Sequence, residues 1–255
     1  TAVSIDYASI SYSINSGTTI CATHSTNGGN NTAWSITGSD FCQTTSNSFQ
    51  RKTWHDGTRF WRSSLDITNQ RIVFEYSTTG SSWTENTSAR IAINTSDFSL
   101  EASSGNAFIA YTTSNDIRGR VASSYPGTSF SWGAEEIILD GSSATDDYKY
   151  PIIERDSSSY VWVGAKYTNT SYSYFDTIKE TSATNTLPTE ATDTIYSLNN
   201  LLNTPTNVYG NIVPLTSQNM YVAFQYGSAL IGCEWINSAS QWRDTSGNSC
   251  TTSSS

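Results

Sequence analysis

The sequence predicts an all-β fold. Of its 255 residues, 36 % are hydrophobic and only 14 % are charged, while aromatic residues make up 13 %. Disordered chains combine low hydrophobicity with high charge and few aromatic residues, so this composition favours a folded protein. The apolar runs are short and lie between clusters of Gly, Ser, Thr and Asn, which is typical of strands joined by turns. The one helix we expect covers residues 194–202 and ends before Pro205.

A repeated unit runs through most of the chain. Four polar turns each lead into an aromatic residue that opens a strand, in steps of 48, 52 and 61 residues: Phe60, Phe108, Tyr160 and Tyr221. A second strand is predicted after each of these, at 71–76, 117–122, 172–178 and 230–236, and a preceding strand at 98–102, 151–154 and 212–215. A tryptophan closes three of the units: Trp83, Trp132 and Trp242. A period near 50 residues with about four strands per unit is typical of a β-propeller blade.

We therefore expect a β-propeller of about five blades, because a single blade cannot bury both of its faces. Residues 51–250 form the predicted propeller domain and contain four recognisable blades. Residues 1–50 form an N-terminal β segment with an alternating stretch, Val3–Ile14. This segment either completes a further blade or is an added hairpin that reaches a neighbouring copy. Residues 251–255 are a low-complexity tail.

Two of the repeated units resemble the Asp-box hairpin of sialidase-type (BNR-repeat) β-propellers. The better one, Tyr76–Trp83, reads YSTTGSSW and keeps the turn glycine and the tryptophan, with Thr78 or Thr79 at the acidic position. The second, Ser123–Trp132, is looser. The resemblance covers roughly residues 50–245 and implies a propeller of the glycan-active group. It transfers no catalytic residue, because the Arg-Ile-Pro motif of sialidases is absent and none of the nine arginines lies in a matching motif.

The cysteines and the N-terminus predict an exported protein. The chain opens TAVSIDYASI, without the basic and apolar regions of a signal peptide, as a processed secreted chain would. Four cysteines allow three disulfide connectivities. We expect the two local pairs, since each closes a short polar loop: Cys21 with Cys42, and Cys233 with Cys250. Four Asn-x-Ser/Thr sequons are candidate glycosylation sites: Asn30, Asn86, Asn94 and Asn169.

The charge and the motifs exclude several classes of partner. A net charge of −9 argues against nucleic acid, which needs a basic surface. No apolar stretch is long enough to insert into a membrane. Two histidines, His24 and His55, and four paired cysteines leave no zinc site of the usual ligand type, so no metal or cofactor is predicted. A structural calcium ion remains compatible with the acidic residues near Asp140 and Asp146, although their spacing fits no EF-hand loop.

Three carboxylates are candidates for catalysis. Glycoside hydrolysis needs two carboxyl groups about 5 to 10 Å apart. Asp56, Glu101 and Glu154 lie at similar offsets from the strand-opening aromatics of their units, and equivalent positions on different blades would converge near the propeller axis. The alternative is that each is a solvated or ion-paired carboxylate, with Arg155 as the partner of Glu154.

Aromatic residues near the turns are candidates for stacking on sugar rings, with core packing as the alternative: Trp54, Trp61, Tyr148, Tyr150 and Trp162. The sequence therefore predicts an extracellular or cell-surface glycoprotein, a non-catalytic structural or glycan-binding propeller module. Its expected partners are glycans or copies of itself, as in a surface filament. The alternative is a glycoside hydrolase that uses axial carboxylates.

Overall fold

Four antiparallel sheets of four or five strands form most of the molecule. The computed structural model describes residues 4–6, 9–10, 21–23, 26–27, 50–66, 69–93, 95, 97–103, 105–123, 125–143, 145–171, 173–198, 208–226 and 229–250. We name the four sheets blades 1 to 4 in chain order. In each blade the first four strands pair in sequence order, and in blades 1 and 2 a fifth strand pairs with the third. The first strand of blade 3 lies beside the first strands of blades 2 and 4. This is the arrangement of a β-propeller, and it confirms the predicted fold class.

The strands of the N-terminal segment pair with one another. They are β1 (Ser4–Asp6), β2 (Ser9–Ile10), β3 (Cys21–Thr23) and β4 (Thr26–Asn27). β1 pairs in parallel with β3, and β2 pairs in parallel with β4. The described strands of the alternating stretch therefore find their partners within the chain.

Blades 1 and 2 each contain five strands. Blade 1 consists of β5 (Thr53–His55), β6 (Phe60–Asp66), β7 (Arg71–Ser77), β8 (Thr84–Glu85) and β9 (Ile91–Ala92), with a 3₁₀ turn at Thr87–Ala89. Blade 2 consists of β10 (Phe98–Ser103), β11 (Asn106–Thr113), β12 (Asp116–Ser123), β13 (Ser131–Trp132) and β14 (Glu136–Leu139). The second and third strands of both blades and the first strand of blade 2 match the predicted repeat, whereas β5 was not predicted.

Blades 3 and 4 each contain four strands. Blade 3 consists of β15 (Asp147–Arg155), β16 (Val161–Thr168), β17 (Ser173–Lys179) and β18 (Ile195–Leu198). Blade 4 consists of β19 (Val208–Pro214), β20 (Met220–Tyr226), β21 (Ala229–Ile236) and β22 (Gln241–Arg243), with a 3₁₀ turn at Asn237–Ala239.

The helix predicted over residues 194–202 is wrong where the structure describes it. Ile195–Leu198 form the outer strand β18 and pair with Phe175–Ile178 of β17. The side chain of Leu198 is buried in the core of blades 3 and 4. Pairing with the free edge of β17 therefore determines the structure of this segment. Short apolar segments often cannot be assigned to helix or strand from their sequence pattern.

Three apolar cores lie between consecutive blades. Side chains of blades 1 and 2 form the first core, around Trp61 and Phe98. Blades 2 and 3 form the second, around Phe108 and Ile153, and blades 3 and 4 form the third, around Trp162. Because each blade buries its faces only against its neighbours, the stability of the ring is shared among the interfaces.

In the Asp-box-like hairpin of blade 1, the side chain of Ser77 supports the turn. Gly80 has a φ of 76°, a conformation that glycine adopts without steric cost. The hydroxyl oxygen of Ser77 accepts hydrogen bonds from the backbone N–H groups of Thr79 and Gly80, at 3.2 and 2.9 Å. Ser77 therefore holds the turn, and the hairpin needs no carboxylate.

A disulfide joins Cys233 of β21 to Cys250, 17 residues further along the chain. The structure thus contains one of the two predicted bonds, while Cys42 lies outside the described residues. Cys233 is buried, so the bond anchors the C-terminal strand of blade 4 to its core. Closing a loop of this length stabilises a fold by roughly 3 kcal/mol.

We expect reduction of the Cys233–Cys250 disulfide to destabilise blade 4. The double variant Cys233→Ala/Cys250→Ala should lower the free energy of unfolding by roughly 2–4 kcal/mol, measured by denaturant titration. Reduced wild-type protein is the control, because it lacks the disulfide bond but keeps the cysteine side chain that alanine removes from the core at position 233. Equal stability of the oxidised and reduced wild-type forms would contradict a structural role for this bond.

Asp176 of β17 is a buried carboxylate in the second core. The hydroxyl group of Tyr148 donates a hydrogen bond to Oδ2 of Asp176 at 3.2 Å, while Oδ1 is buried without a hydrogen-bond partner among the described residues. Burial raises the pKa of Asp176 from 3.8 to about 6. The folded state then binds the proton more tightly than the unfolded state, so stability falls as the pH rises from about 4 to about 6.

We expect Asp176→Asn to stabilise the protein above pH 6, because an amide removes the cost of a buried charge. The melting temperature of the variant should exceed that of the wild type at pH 7.5 and approach it near pH 3.5. Asp140→Asn, at an exposed position, is the matched control. If Asp176→Asn is less stable than the wild type at pH 7.5, the buried negative charge of Asp176 is not the main destabilising effect at this position.

Candidate functional site

Two of the predicted carboxylates meet at the propeller axis. Glu101 lies on β10 and Glu154 on β15, the inner strands of blades 2 and 3, and both contact the guanidinium group of Arg51. Nη1 of Arg51 forms an ion pair with Glu101, and Nη2 donates to both carboxylate oxygens of Glu154 at 2.8 and 3.0 Å. The axis therefore carries a charged cluster, which we call the Arg51 bridge: Arg51, Glu101 and Glu154.

Backbone contacts fix the position of Arg51. The carbonyl oxygen of Arg51 accepts a hydrogen bond from the N–H group of Leu100 at 3.1 Å, which joins the start of blade 1 to β10. The side chain of Gln50 donates to the carbonyl oxygen of Pro151 on β15 at 3.0 Å. Residues 50–52 thus lie along the inner strands of two other blades, and this placement brings a guanidinium group between their carboxylates.

The Arg51 bridge is only partly open to solvent. The Glu101 and Glu154 side chains are 6 % and 10 % exposed, whereas that of Arg51 is 38 % exposed. Burial raises the pKa of Glu154 to about 8, the positive charge of Arg51 opposes this rise, and the negative charge of Glu101 adds to it. Glu154 is therefore mostly protonated at neutral pH, which reduces the repulsion between the two carboxyl groups.

Lys52 lies beside the bridge with its amine buried. Nζ of Lys52 donates to Oε1 of Gln50 at 2.9 Å and to the carbonyl oxygen of Phe98 at 2.8 Å, and it lies 4.3 Å from the centre of the Phe98 ring. Burial lowers the pKa of Lys52 to about 8, although the negative charge of Asp97 opposes the change. The protein's own acceptors thus hold this amine.

A cavity of about 370 Å³ opens at this cluster. Its walls come from the start of blade 1 and from the inner strands β15 and β19. The lining residues are Gln50, Arg51, Lys52, Thr53, Ile152, Glu154, Asn211, Ile212, Val213 and Pro214. Most of the side chains from blades 1 and 3 are polar, whereas blade 4 contributes mainly apolar ones, so the cavity suits a ligand with both kinds of surface.

Asp56, the third candidate carboxylate, supports a turn instead of the bridge. Its Oδ1 accepts hydrogen bonds from two backbone N–H groups of the turn, including that of Arg59 at 2.7 Å, and its Oδ2 accepts one from the indole of Trp61 at 2.8 Å. Asp156 makes the same contacts in blade 3, where the indole of Trp162 donates to it at 3.2 Å. The repeat of this Asp–Trp pair in two blades indicates a structural role.

Most of the aromatic candidates are core residues. Trp61, Tyr148 and Trp162 are buried, so they are not accessible to a ligand in this fold. Trp54 is half-buried; its ring stacks on Trp61 at 5.5 Å, and its indole donates to the hydroxyl of Tyr125 at 3.0 Å. His55 is exposed in the same turn region, and its Nδ1 accepts the backbone N–H of the turn glycine.

Other predicted site residues lie away from the axis. Asn86 is buried, and its amide nitrogen donates to the carbonyl oxygen of Phe130 at 3.0 Å, so the folded chain does not present it for glycan attachment. Asn169 is half-exposed, while Asn30 and Asn94 lie outside the described residues. Oδ2 of Asp146 accepts from Ser142, and no group of three or more His, Cys, Asp or Glu side chains in the described part of the chain is placed to hold a metal ion.

Sequence reasoning missed the two basic residues of the site. Arg51 and Lys52 precede the first recognisable blade, so no repeat position marked them as axial. The prediction named Arg155 as the partner of Glu154, but Arg155 turns away and donates to Ser103 and to Asn185, at 3.3 and 3.0 Å. A basic pair immediately before the first repeat was the signal available in the sequence.

Solved structures share this fold at low sequence identity. The chain is similar to a PL25 ulvan lyase, with a TM-score of 0.56 and 9 % identity over 79 % of this chain and 54 % of that one. It is similar to the Penicillium chrysogenum α-L-arabinanase complexed with arabinobiose, with a TM-score of 0.51 and 14 % identity over 75 % of this chain and 64 % of that one. It is also similar to Trypanosoma rangeli sialidase in complex with the inhibitor DANA, with a TM-score of 0.50 and 10 % identity over 76 % of this chain and 37 % of that one.

These similarities confirm the β-propeller and its resemblance in fold to sialidases. The chain spans 54 % of the length of the ulvan lyase. No protein-family model matches the sequence, and no curated protein matches it. Within the described residues no helix has the length and apolar character of a membrane span.

We expect Arg51→Met to destabilise the protein in a pH-dependent way. Without the guanidinium group, two partly buried carboxylates lose their shared cation, at a cost of roughly 1–3 kcal/mol once both are charged. The loss should be larger at pH 9 than at pH 6, because Glu154 is charged above its pKa of about 8.

Arg62→Met is the matched control, since Arg62 forms a more exposed ion pair with Glu75. Thermal unfolding of both variants at the two pH values measures the difference. If Arg51→Met loses the same stability at pH 6 and at pH 9, the proposed interaction between Arg51 and the charged form of Glu154 is contradicted.

Proposed function

We propose that the protein is an extracellular carbohydrate-binding β-propeller that holds a neutral glycan in its axial cavity without cleaving it. The observation that carries the proposal is the Arg51 bridge. A glycosidase needs one carboxylate free to act as nucleophile or base and a second carboxyl group as acid, with the substrate between them. Here a single guanidinium group engages both axial carboxyl groups, so neither is free to attack a sugar.

The lining of the cavity favours a hydroxyl-rich ligand. The amide of Asn211 and the hydroxyl of Thr53 are groups of the kind that bind sugar hydroxyls. Val213, whose side chain is exposed, supplies apolar surface for the C–H groups of a sugar ring. Polar groups that fix orientation within a partly apolar cavity are typical of small-molecule sites.

The charges of the site favour a neutral ligand over an acidic one. Arg51 is neutralised by Glu101 and Glu154, and Lys52 is held by Gln50 and by a backbone carbonyl. Among the described lining residues, both cations are therefore engaged by the protein itself. An acidic sugar would have to break one of these contacts, and losing a buried charge pair is costly.

The similar solved structures support a carbohydrate ligand. One is an arabinanase complexed with arabinobiose, another is an ulvan lyase classed as a polysaccharide lyase, and a third is a sialidase. The disulfide between Cys233 and Cys250 supports an extracellular location, because such bonds persist mainly in oxidising compartments.

A glycoside hydrolase is the second candidate, and one observation favours it. The pKa of Glu154 is raised to about 8, which keeps the group protonated at neutral pH as a general acid requires. In that mechanism a substrate would have to displace Arg51 so that Glu101 becomes the base or nucleophile. The binding role is preferred because this displacement leaves a guanidinium group without its partners.

We expect the wild-type protein to bind neutral oligosaccharides and to release no reducing ends from them. Glu154→Gln should weaken binding by about 10-fold, because an amide cannot accept from Arg51 through two oxygens as Glu154 does, so the position of Arg51 changes. Isothermal titration and a reducing-end assay on the same oligosaccharides measure the two properties.

Glu75→Gln, on the outer part of blade 1, is the matched control and should bind like the wild type. Release of reducing ends by the wild type, with loss of that activity in Glu154→Gln and in Glu101→Gln, would establish the hydrolase instead.

A further inference from the structure

An unusual tyrosine lies on β15, two residues before Ile152, which lines the axial cavity. Tyr150, within the inner strand β15, has a φ of 58°. Among the described non-glycine residues with positive φ, it is the only aromatic one and the only one inside a strand; the others are Gln70, Ser114, Ser159, Asn185, Ser217, Gln218 and Ser240. A bulky side chain rarely adopts this conformation. Tyr150 also precedes Pro151, and a following proline restricts the backbone further.

The strand is irregular at the same place. The pairing of β15 with β16 shifts register between Lys149 and Ile152, so an irregularity of the β-bulge kind includes Tyr150. Bulges of this type change the direction of a side chain, and they occur often beside binding sites. Backbone strain that persists in a fold is a reason to look for a function at that residue.

The ring of Tyr150 meets a second tyrosine from the next blade. Its centre lies 5.0 Å from that of Tyr209 on β19, with the ring planes inclined at 48°. Both side chains are partly exposed. The two rings therefore form a compact aromatic surface that joins the inner strands of blades 3 and 4.

This surface is continuous with the cavity. Tyr209, Asn211 and Val213 lie on the same face of β19, because side chains alternate along a strand, and the last two line the cavity. On β15, Ile152 and Glu154 follow Tyr150 and also line it. On each of these two strands, the tyrosine is followed two residues later by a residue that lines the cavity.

We propose that Tyr150 and Tyr209 form a stacking platform for a sugar ring of a neutral glycan whose next residue enters the axial cavity. This inference rests on the proposed function and adds a second binding position to it. Aromatic rings bind the apolar C–H face of a pyranose through dispersion and burial of apolar area.

The test compares three alanine variants in titrations with a panel of neutral and uronic-acid oligosaccharides. Tyr150→Ala and Tyr209→Ala should each weaken binding of the neutral ligand by about 10-fold. Tyr174→Ala is the matched control, because Tyr174 on β17 stacks on Tyr167 of β16 at 6.0 Å, and neither strand lines the cavity. Uronic-acid oligosaccharides should bind the wild type at least 10-fold more weakly than neutral ones.

A second measurement separates function from packing. Glycine tolerates a positive φ better than alanine does, so Tyr150→Gly should melt about 2–4 °C above Tyr150→Ala while both lose the same binding. This pattern supports a residue held in strain for binding. Equal melting temperatures of the two variants would show that the backbone of Tyr150 is not strained, and would overturn this part of the proposal.

The outcomes distinguish the platform from the function on which it rests. Normal binding by Tyr150→Ala and Tyr209→Ala, with weakened binding by Glu154→Gln, overturns the platform and leaves the axial site in place. Absence of glycan binding by the wild type overturns both. Tighter binding of uronic-acid ligands than of neutral ones overturns the assigned ligand class.

Discussion

Contact between consecutive blades is the constraint on which the rest of the structure depends. Each sheet has apolar faces to bury, and each pair of consecutive blades shares one apolar core. Four of the largest fully buried side chains are tryptophans, Trp61, Trp162, Trp235 and Trp242, and they fill the wide spaces between sheets. Because these cores set the spacing of the blades, they also bring the inner strands together at the axis, where the charged side chains meet.

The chemistry of the axis follows from that convergence. The segment before blade 1 and the inner strands of blades 2 and 3 bring Arg51, Glu101 and Glu154 together in a partly buried region, where unpaired charges would be costly. Contacts with Arg51 satisfy these groups, and the neighbouring cavity offers the amide of Asn211, the hydroxyl of Thr53 and the apolar side chain of Val213. This combination suits recognition of a neutral, hydroxylated ligand better than it suits bond cleavage, and the strained Tyr150 extends the same surface along two strands.

The repeat made most of the fold predictable from the sequence. The spacing of Phe60, Phe108, Tyr160 and Tyr221 located the second and third strands of all four blades, and the shared offset of Glu101 and Glu154 indicated that they would converge. The outer strand at Ile195–Leu198 could not be distinguished from a helix, since a short apolar run carries no clear period. Buried and ligand-facing aromatics look alike in sequence, so Trp61, Tyr148 and Trp162 could not be separated from Trp54.

Other features depend on contacts between distant residues. The approach of Arg51 to Glu154 spans 103 positions, and the buried state of Asn86 depends on a hydrogen bond to Phe130, 44 positions away. The positive φ of Tyr150 arises where the strand register shifts, and no local motif marks such a shift in a tyrosine–proline pair. Contacts between distant residues therefore determine the geometry of the site, whereas local sequence patterns determine the strands on which its residues lie.

A crystal structure of the wild-type protein soaked with a neutral oligosaccharide tests the central claim most directly. The account predicts an intact oligosaccharide in the axial cavity, with Arg51 still bound to Glu101 and Glu154. A cleaved sugar, a covalent bond from Glu101 or Glu154 to the ligand, or a displaced Arg51 would contradict it and establish these carboxylates as catalytic.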